Sequence, residues 1–131
     1  MVVAKKPKVV NQKKILEKAV TASVTQYLKL RGWRPLRMQR TVLPGQFSTC
    51  EPGTADVLYI RYDTEALHPP GSGRILWVEF KSPSGHLGPK QEEWIAREKS
   101  RGAIVLVVDD LQEFVRYYER TFGVSGQLRL G

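Results

Sequence analysis

The sequence predicts one α/β domain, a mixed central sheet flanked by helices. Three observations predict it. The chain has 131 residues, the size of a single ordinary domain. Its apolar pattern changes type along the chain, from a three- and four-residue period near the start to strand-like runs further on. The stretch from Arg74 to Val108 reads strand, helix, strand, a unit that closes by a right-handed crossover and lays two parallel strands in one sheet. The strands before it are joined by loops, which favours antiparallel pairing, so the sheet is mixed.

Residues 1–10 read as a basic arm. Asn11 suits an N-cap, and a helix follows from about Gln12 to Arg31. Ile15, Leu16, Ala19, Val20, Val24, Tyr27 and Leu28 form one apolar stripe on it, and Gly32 suits its end. Trp33 to Val42 reads as extended, with Arg34, Arg37 and Arg40 in it. Pro44-Gly45 and Pro52-Gly53 then punctuate a loop around Cys50.

Asp56 to Tyr62, DVLYIRY, is a strand by its β-branched and aromatic content. Asp63 to Gly73, with Pro69-Pro70-Gly71, is a loop. Arg74 to Lys81, RILWVEFK, is the strongest strand in the chain. After the loop SPSGHLG, Pro89 suits a first helical position, and that helix runs to about Arg101, closed by Gly102. Ala103 to Val108, AIVLVV, is continuously apolar, which predicts a strand buried on both faces. Asp109 or Asp110 then caps a last helix through about Arg120. The domain is expected over residues 11–122, with residues 123–131 as a tail.

Lys plus Arg is 21 and Asp plus Glu is 13, a net charge of +8. Residues 1–40 hold 11 of the basic residues and one acid, Glu17, while residues 41–131 hold 10 basic and 12 acidic residues. The whole excess therefore sits in the first 40 residues. Charge concentrated in this way fits a polyanion partner, nucleic acid first; by itself it fits a solubilising tail equally well. One cysteine, Cys50, excludes an internal disulfide and a Cys-rich zinc site. No segment reaches the ~20 apolar residues of a membrane span. The lysines of the first ten residues are not followed by an apolar h-region, so a cytoplasmic protein is expected.

Glu79 and Lys81 are where chemistry enters. Residues i and i+2 of a strand share a face, so an acid and a base emerge side by side at the end of an otherwise apolar strand. A lone E-x-K is most often an ion pair at a sheet rim. Asp56 changes that reading, because it opens the preceding strand. If the two strands are antiparallel neighbours, the start of one lies beside the end of the other, and Asp56 meets Glu79.

Two carboxylates on adjoining strand ends make a hard oxygen site suited to magnesium. A lysine beside them supplies a positive charge. Those are the parts that phosphodiester hydrolysis needs. Gln91 lies in the first turn of the following helix, turned inward if Trp94 and Ile95 are its buried face. Its amide is then available to a phosphate or an attacking water, although a solvated first-turn glutamine is the commoner case.

The runs GTADVL (53–58), WVEFKS (77–82), SGHLGPKQ (84–91) and RGAIVLVV (101–108) resemble the VRR-NUC nuclease domain. That domain is a branch of the PD-(D/E)XK metal-dependent nucleases, found alone in phages and bacteria and at the C-terminus of a Fanconi-associated nuclease. The likeness runs from the first helix to about Tyr118. It implies a restriction-endonuclease-like fold. By position it implies Asp56, Glu79 and the main-chain carbonyl of Phe80 as metal ligands, Lys81 as the catalytic lysine and Gln91 as the motif glutamine. Glu17 resembles the acid on the family's first helix, which reaches the metal's outer shell. Ala55 departs from the signature, where proline usually precedes the aspartate.

The resemblance implies a magnesium-dependent DNA endonuclease in which manganese would substitute. It also implies a preference for branched DNA, as in a Holliday-junction resolvase, a homodimer, and the cytoplasm of a bacterial or phage-infected cell. Lys13, Lys14, Arg34, Arg37 and Lys90 are the candidate DNA contacts. A nuclease acting on linear or flap DNA and a non-catalytic nucleic-acid-binding module remain open alternatives. His68 and His86 read as loop residues and Cys50 as inert. Trp33, Trp77 and Trp94 are assigned to core or interface, and Tyr117 and Tyr118 to packing. Three tryptophans and an apolar last strand look like a surplus of apolar surface that a dimer would cover.

Overall fold

The structure, a computed structural model, describes residues 12–38, 50–62 and 71–123. The basic arm, the Asn11 cap, the Pro44-Gly45 turn, Arg40, His68 and the tail lie outside the described residues. Helix α1 (Gln12–Lys29) leads into strands β1 (Arg34–Arg37), β2 (Val57–Tyr62) and β3 (Gly73–Phe80), then α2 (Pro89–Ser100), β4 (Val105–Val108) and α3 (Leu111–Phe122). The strands lie in the order β1-β2-β3-β4. β1 pairs antiparallel with β2, and β2 antiparallel with β3. β4 pairs parallel with β3, so α2 is the crossover between them. The mixed sheet flanked by helices is therefore the architecture.

The alternation of β3 divides the core. Leu76, Val78 and Phe80 join Val24 and Leu28 of α1, Phe114 and Tyr118 of α3, and Trp33 in one cluster. Trp77, on the other face, packs with Trp94 and Ile95 of α2, Ala55 and Val105 in a second cluster. The Trp77 and Trp94 rings meet edge to face at 4.9 Å. Trp33 and Trp94 are thus buried inside the domain, and Trp77 is half-buried against Trp94.

Helix ends follow local chemistry. Pro89 takes the first position of α2 behind Gly88. Asp110 caps α3, its carboxylate accepting from the Glu113 amide at 2.8 Å. Gly32 turns the chain out of α1 with φ +90, a conformation that side chains with a Cβ resist.

Two expectations need correction. Ile15 and Leu16, counted in the apolar stripe of α1, are each 49% exposed. Ala19 is exposed as well, Val20 is half-buried and full burial begins at Val24, because the first turns lie beyond the end of β3, where Glu17 meets Ser82. β4 is not buried on both faces: it is an edge strand, and Val107 is 46% exposed. Among the described residues only one side of it meets a neighbouring strand, and α2 and α3 leave Val107 uncovered.

Candidate active site

The site forms where β2 begins and β3 ends. The register pairs Val57 with Val78, so one step further the chain brings Asp56 to the level of Glu79, as antiparallel pairing of these strands requires. Asp56 is fixed from both sides. Its carbonyl accepts from the Met38 amide at 2.9 Å. Its carboxylate Oδ2 accepts from the Phe80 amide at 2.9 Å. The loop before it packs closely on α2: Gly53 has φ +84, and a Cβ there would overlap the main-chain carbonyl of Lys90. A glycine is needed at that position, and Lys90 is thereby set beside the loop that delivers Asp56.

Glu79 is 2% exposed. A carboxylate so deep needs compensation, and two side chains supply it at the same oxygen. Gln91 Nε2 donates to Glu79 Oε1 at 2.8 Å, and Lys81 Nζ stands 3.5 Å from that atom. Gln91 also accepts from the Gly88 amide through its own Oε1, at 2.9 Å. Both ends of its amide are therefore used within the chain. It ties the first turn of α2 to Glu79 and holds that carboxylate in place.

Glu17 reaches the same strand end from the opposite helix. Its Oε1 accepts from the Ser82 amide at 3.0 Å, one residue beyond Lys81. A cleft of about 220 Å³ opens between α1 and the strand ends, lined by Lys14, Glu17, Lys18, Thr21, Arg37, Asp56 and Phe80. Three cations thus surround two carboxylates, an arrangement suited to a bridging phosphate.

The candidate DNA contacts divide in space. Lys14 and Arg37 line the cleft. Lys90 is exposed beside the Asp56 loop. Lys13, its neighbour on α1, is exposed outside the lining. Arg34 lies at the far end of β1 from Asp56, and its guanidinium donates to the Tyr62 hydroxyl at 3.0 Å. His86 is exposed in the loop before α2. Lys18 and Thr21 were missed from the sequence. The signal for them was present: positions 14, 17, 18 and 21 recur at the spacing of one helix face, next to the apolar stripe.

A mixed sheet with acids at the ends of two neighbouring strands, a lysine two residues after one of them and a flanking helix that carries a further acid defines a PD-(D/E)XK-like nuclease fold. The family model for the VRR-NUC domain matches residues 9–109. The chain belongs to that family and is a nuclease-type domain. A solved structure described as a VRR_NUC domain superposes on it with a TM-score of 0.56 at 24% identity, covering 79% of this chain and 95% of the other; it shows the fold. Comparison with curated proteins finds no match. Among the described residues, no helix is long and apolar enough to cross a membrane.

Proposed function

We propose that this domain hydrolyses phosphodiester bonds of DNA with the help of a divalent cation, magnesium in the first place and manganese as its substitute. The observation that supports the reading is the β2–β3 register, which sets Asp56 level with Glu79 on adjoining strand ends, with Lys81 3.5 Å from the Glu79 carboxylate. The donor set fits magnesium. Asp56, Glu79 and the Phe80 carbonyl are hard oxygens, and magnesium is typically held by one or two carboxylates while keeping several waters. When bound there, the cation would polarise a phosphate oxygen and ease the loss of a proton from water.

The chain's own groups do the rest. Lys81 keeps a positive charge next to the carboxylates, where negative charge grows as the phosphorus gains a fifth oxygen. Its side chain is 20% exposed while Glu79, 3.5 Å away, stays covered. Gln91 keeps Glu79 from turning. Glu17 holds the Ser82 amide and so fixes the chain just after Lys81. Lys14, Lys18 and Arg37 draw the phosphate backbone in.

Branched DNA as the preferred substrate and a homodimer as the working unit belong to the same proposal. One chain carries one such site, and a symmetric four-way junction requires two symmetric cuts. A non-catalytic binding module is the weaker reading, because two acids facing a polyanion would only weaken its binding. The deciding assay offers four-way, flap and linear DNA to the purified protein, with magnesium or with EDTA. Cleavage that needs magnesium is expected, fastest on the four-way junction. Binding of all three without cutting in either condition would leave the binding module.

A further inference from the structure

The cleft over Asp56 does not close at α1. It continues into a wider groove between α1 and β1, about 740 Å³ in volume, and the two share Lys18, Thr21 and Arg37. Lys18, Lys29 and Arg37 border this groove, and no acid lines it among the described residues. Ala22, Leu30 and Pro35 give it apolar walls. Leu30 stands 66% exposed, a large apolar side chain presented to solvent beside a cation.

Dimensions decide what such a groove admits. Lys18 and Lys29 are about three helical turns apart, roughly 16 Å along the axis. That is about five of the 3.4 Å axial steps of a duplex strand, and fewer phosphates of an unstacked, more extended one. A volume of 740 Å³ spread over that length averages roughly 45 Å² in cross-section, near 7 Å across. One sugar-phosphate strand fits with its bases against the apolar wall. A duplex does not, since its major groove alone is about 12 Å wide.

We propose that the α1–β1 groove is the seat of a single-stranded stretch of nucleic acid leaving the cleft over Asp56. The inference rests on the nuclease reading of that cleft. Lys18 and Arg37 stand where cleft and groove join and take the phosphates next to the reacting one. Lys29 takes a phosphate at the far end. Leu30 and Pro35 offer apolar surface to unstacked bases, in the place that aromatic rings take in other single-strand grooves.

The test measures binding with calcium in place of magnesium, so that cutting does not interfere. The probes are one duplex made blunt and the same duplex with a single-stranded extension of about ten nucleotides, in either polarity. One polarity of extension is expected to tighten binding by about tenfold. Lys29→Ala is expected to lower the slope of log K against log salt by about 0.7 on that probe, one phosphate contact on a single strand, and to leave the blunt duplex unchanged. Leu30→Asp removes the advantage of the extension. Both side chains are exposed, so a thermal melt should match that of the unaltered protein. Equal affinity for blunt and extended DNA, or an equal loss of slope on both in Lys29→Ala, overturns the proposal. Cleavage by Asp56→Asn is measured beside it: full activity in that variant would sink the nuclease reading of the cleft, a result that the binding curves do not depend on.

Discussion

Between α1 and α3 the core is held by aromatic edges, whereas at the end of β3 the carboxylates are held by main-chain amides and one glutamine. Tyr27 meets Phe114 at 5.9 Å and Tyr118 at 5.4 Å, both edge to face. Trp33 donates from Nε1 to the Tyr118 hydroxyl at 3.0 Å. The ring contacts depend on side-chain volume, and the hydrogen bond on the Tyr118 hydroxyl. At the site the Phe80 and Ser82 amides donate to Asp56 and Glu17, and Gln91 donates to Glu79. An oxygen of the right shape satisfies those donors whether or not it is charged. The two regions should therefore fail differently: the aromatic core by losing stability, the site by losing chemistry while the fold persists.

The largest expected effect separates them most sharply. Asp56→Asn and Glu79→Gln keep the accepting oxygen and remove the ligand charge. Each should lower magnesium-dependent cleavage by about a thousandfold or more, the upper range for loss of one transition-state stabiliser. DNA binding should hold or tighten, and the melting temperature should barely move. Near-normal cleavage in either variant means that the site is elsewhere.

Phe114→Ala is the counterpart in the core. Phe114 is 2% exposed, and removing such a ring costs about 3–5 kcal/mol. Denaturant unfolding should show that loss. The rate per folded molecule should stay the same, and a fall in it would mean that the two regions are coupled through α1.

Lys81→Ala comes next, with a loss in rate of about a hundredfold. Calorimetric binding of magnesium or manganese should survive, because Asp56 and Glu79 remain. Loss of metal binding in a folded variant would make Lys81 a prop for Glu79 instead of a participant. The smallest effect is Tyr118→Phe, which keeps the ring and strips the acceptor from Trp33 Nε1. A buried donor left without its partner costs about 1–3 kcal/mol, with cleavage unaffected.

The sheet was legible from sequence because each strand carried its own signature. RILWVEFK alternates into two apolar faces that the structure separates into two clusters. The pairing of Asp56 with Glu79 was also legible, since antiparallel order follows from the loop between the two strands. Ile15 and Leu16 were misplaced because periodicity reports which face a residue occupies and not how far the covering sheet extends. β4 was placed correctly but expected to be buried on both faces, because a continuously apolar run does not reveal how far the helices cover the sheet, and Val107 is left 46% exposed. Gln91 was found by position, but its partners were not. Whether an amide faces a substrate or its own helix depends on where Gly88 and Glu79 come to rest.

By itself, then, the sequence determined the element order, the two acids, the lysine and the basic first helix. These are properties of residue type and spacing, which the chain carries before it folds. The tertiary structure alone decided that Gln91 and Lys81 converge on one oxygen of Glu79. It alone decided that Glu17 closes on Ser82 from 65 residues away, and that α1 and β1 stand apart far enough to leave a groove. Those relations arise when separate elements dock. The docking is set by the summed packing of Trp33, Tyr118, Trp94 and their neighbours, which no local pattern encodes.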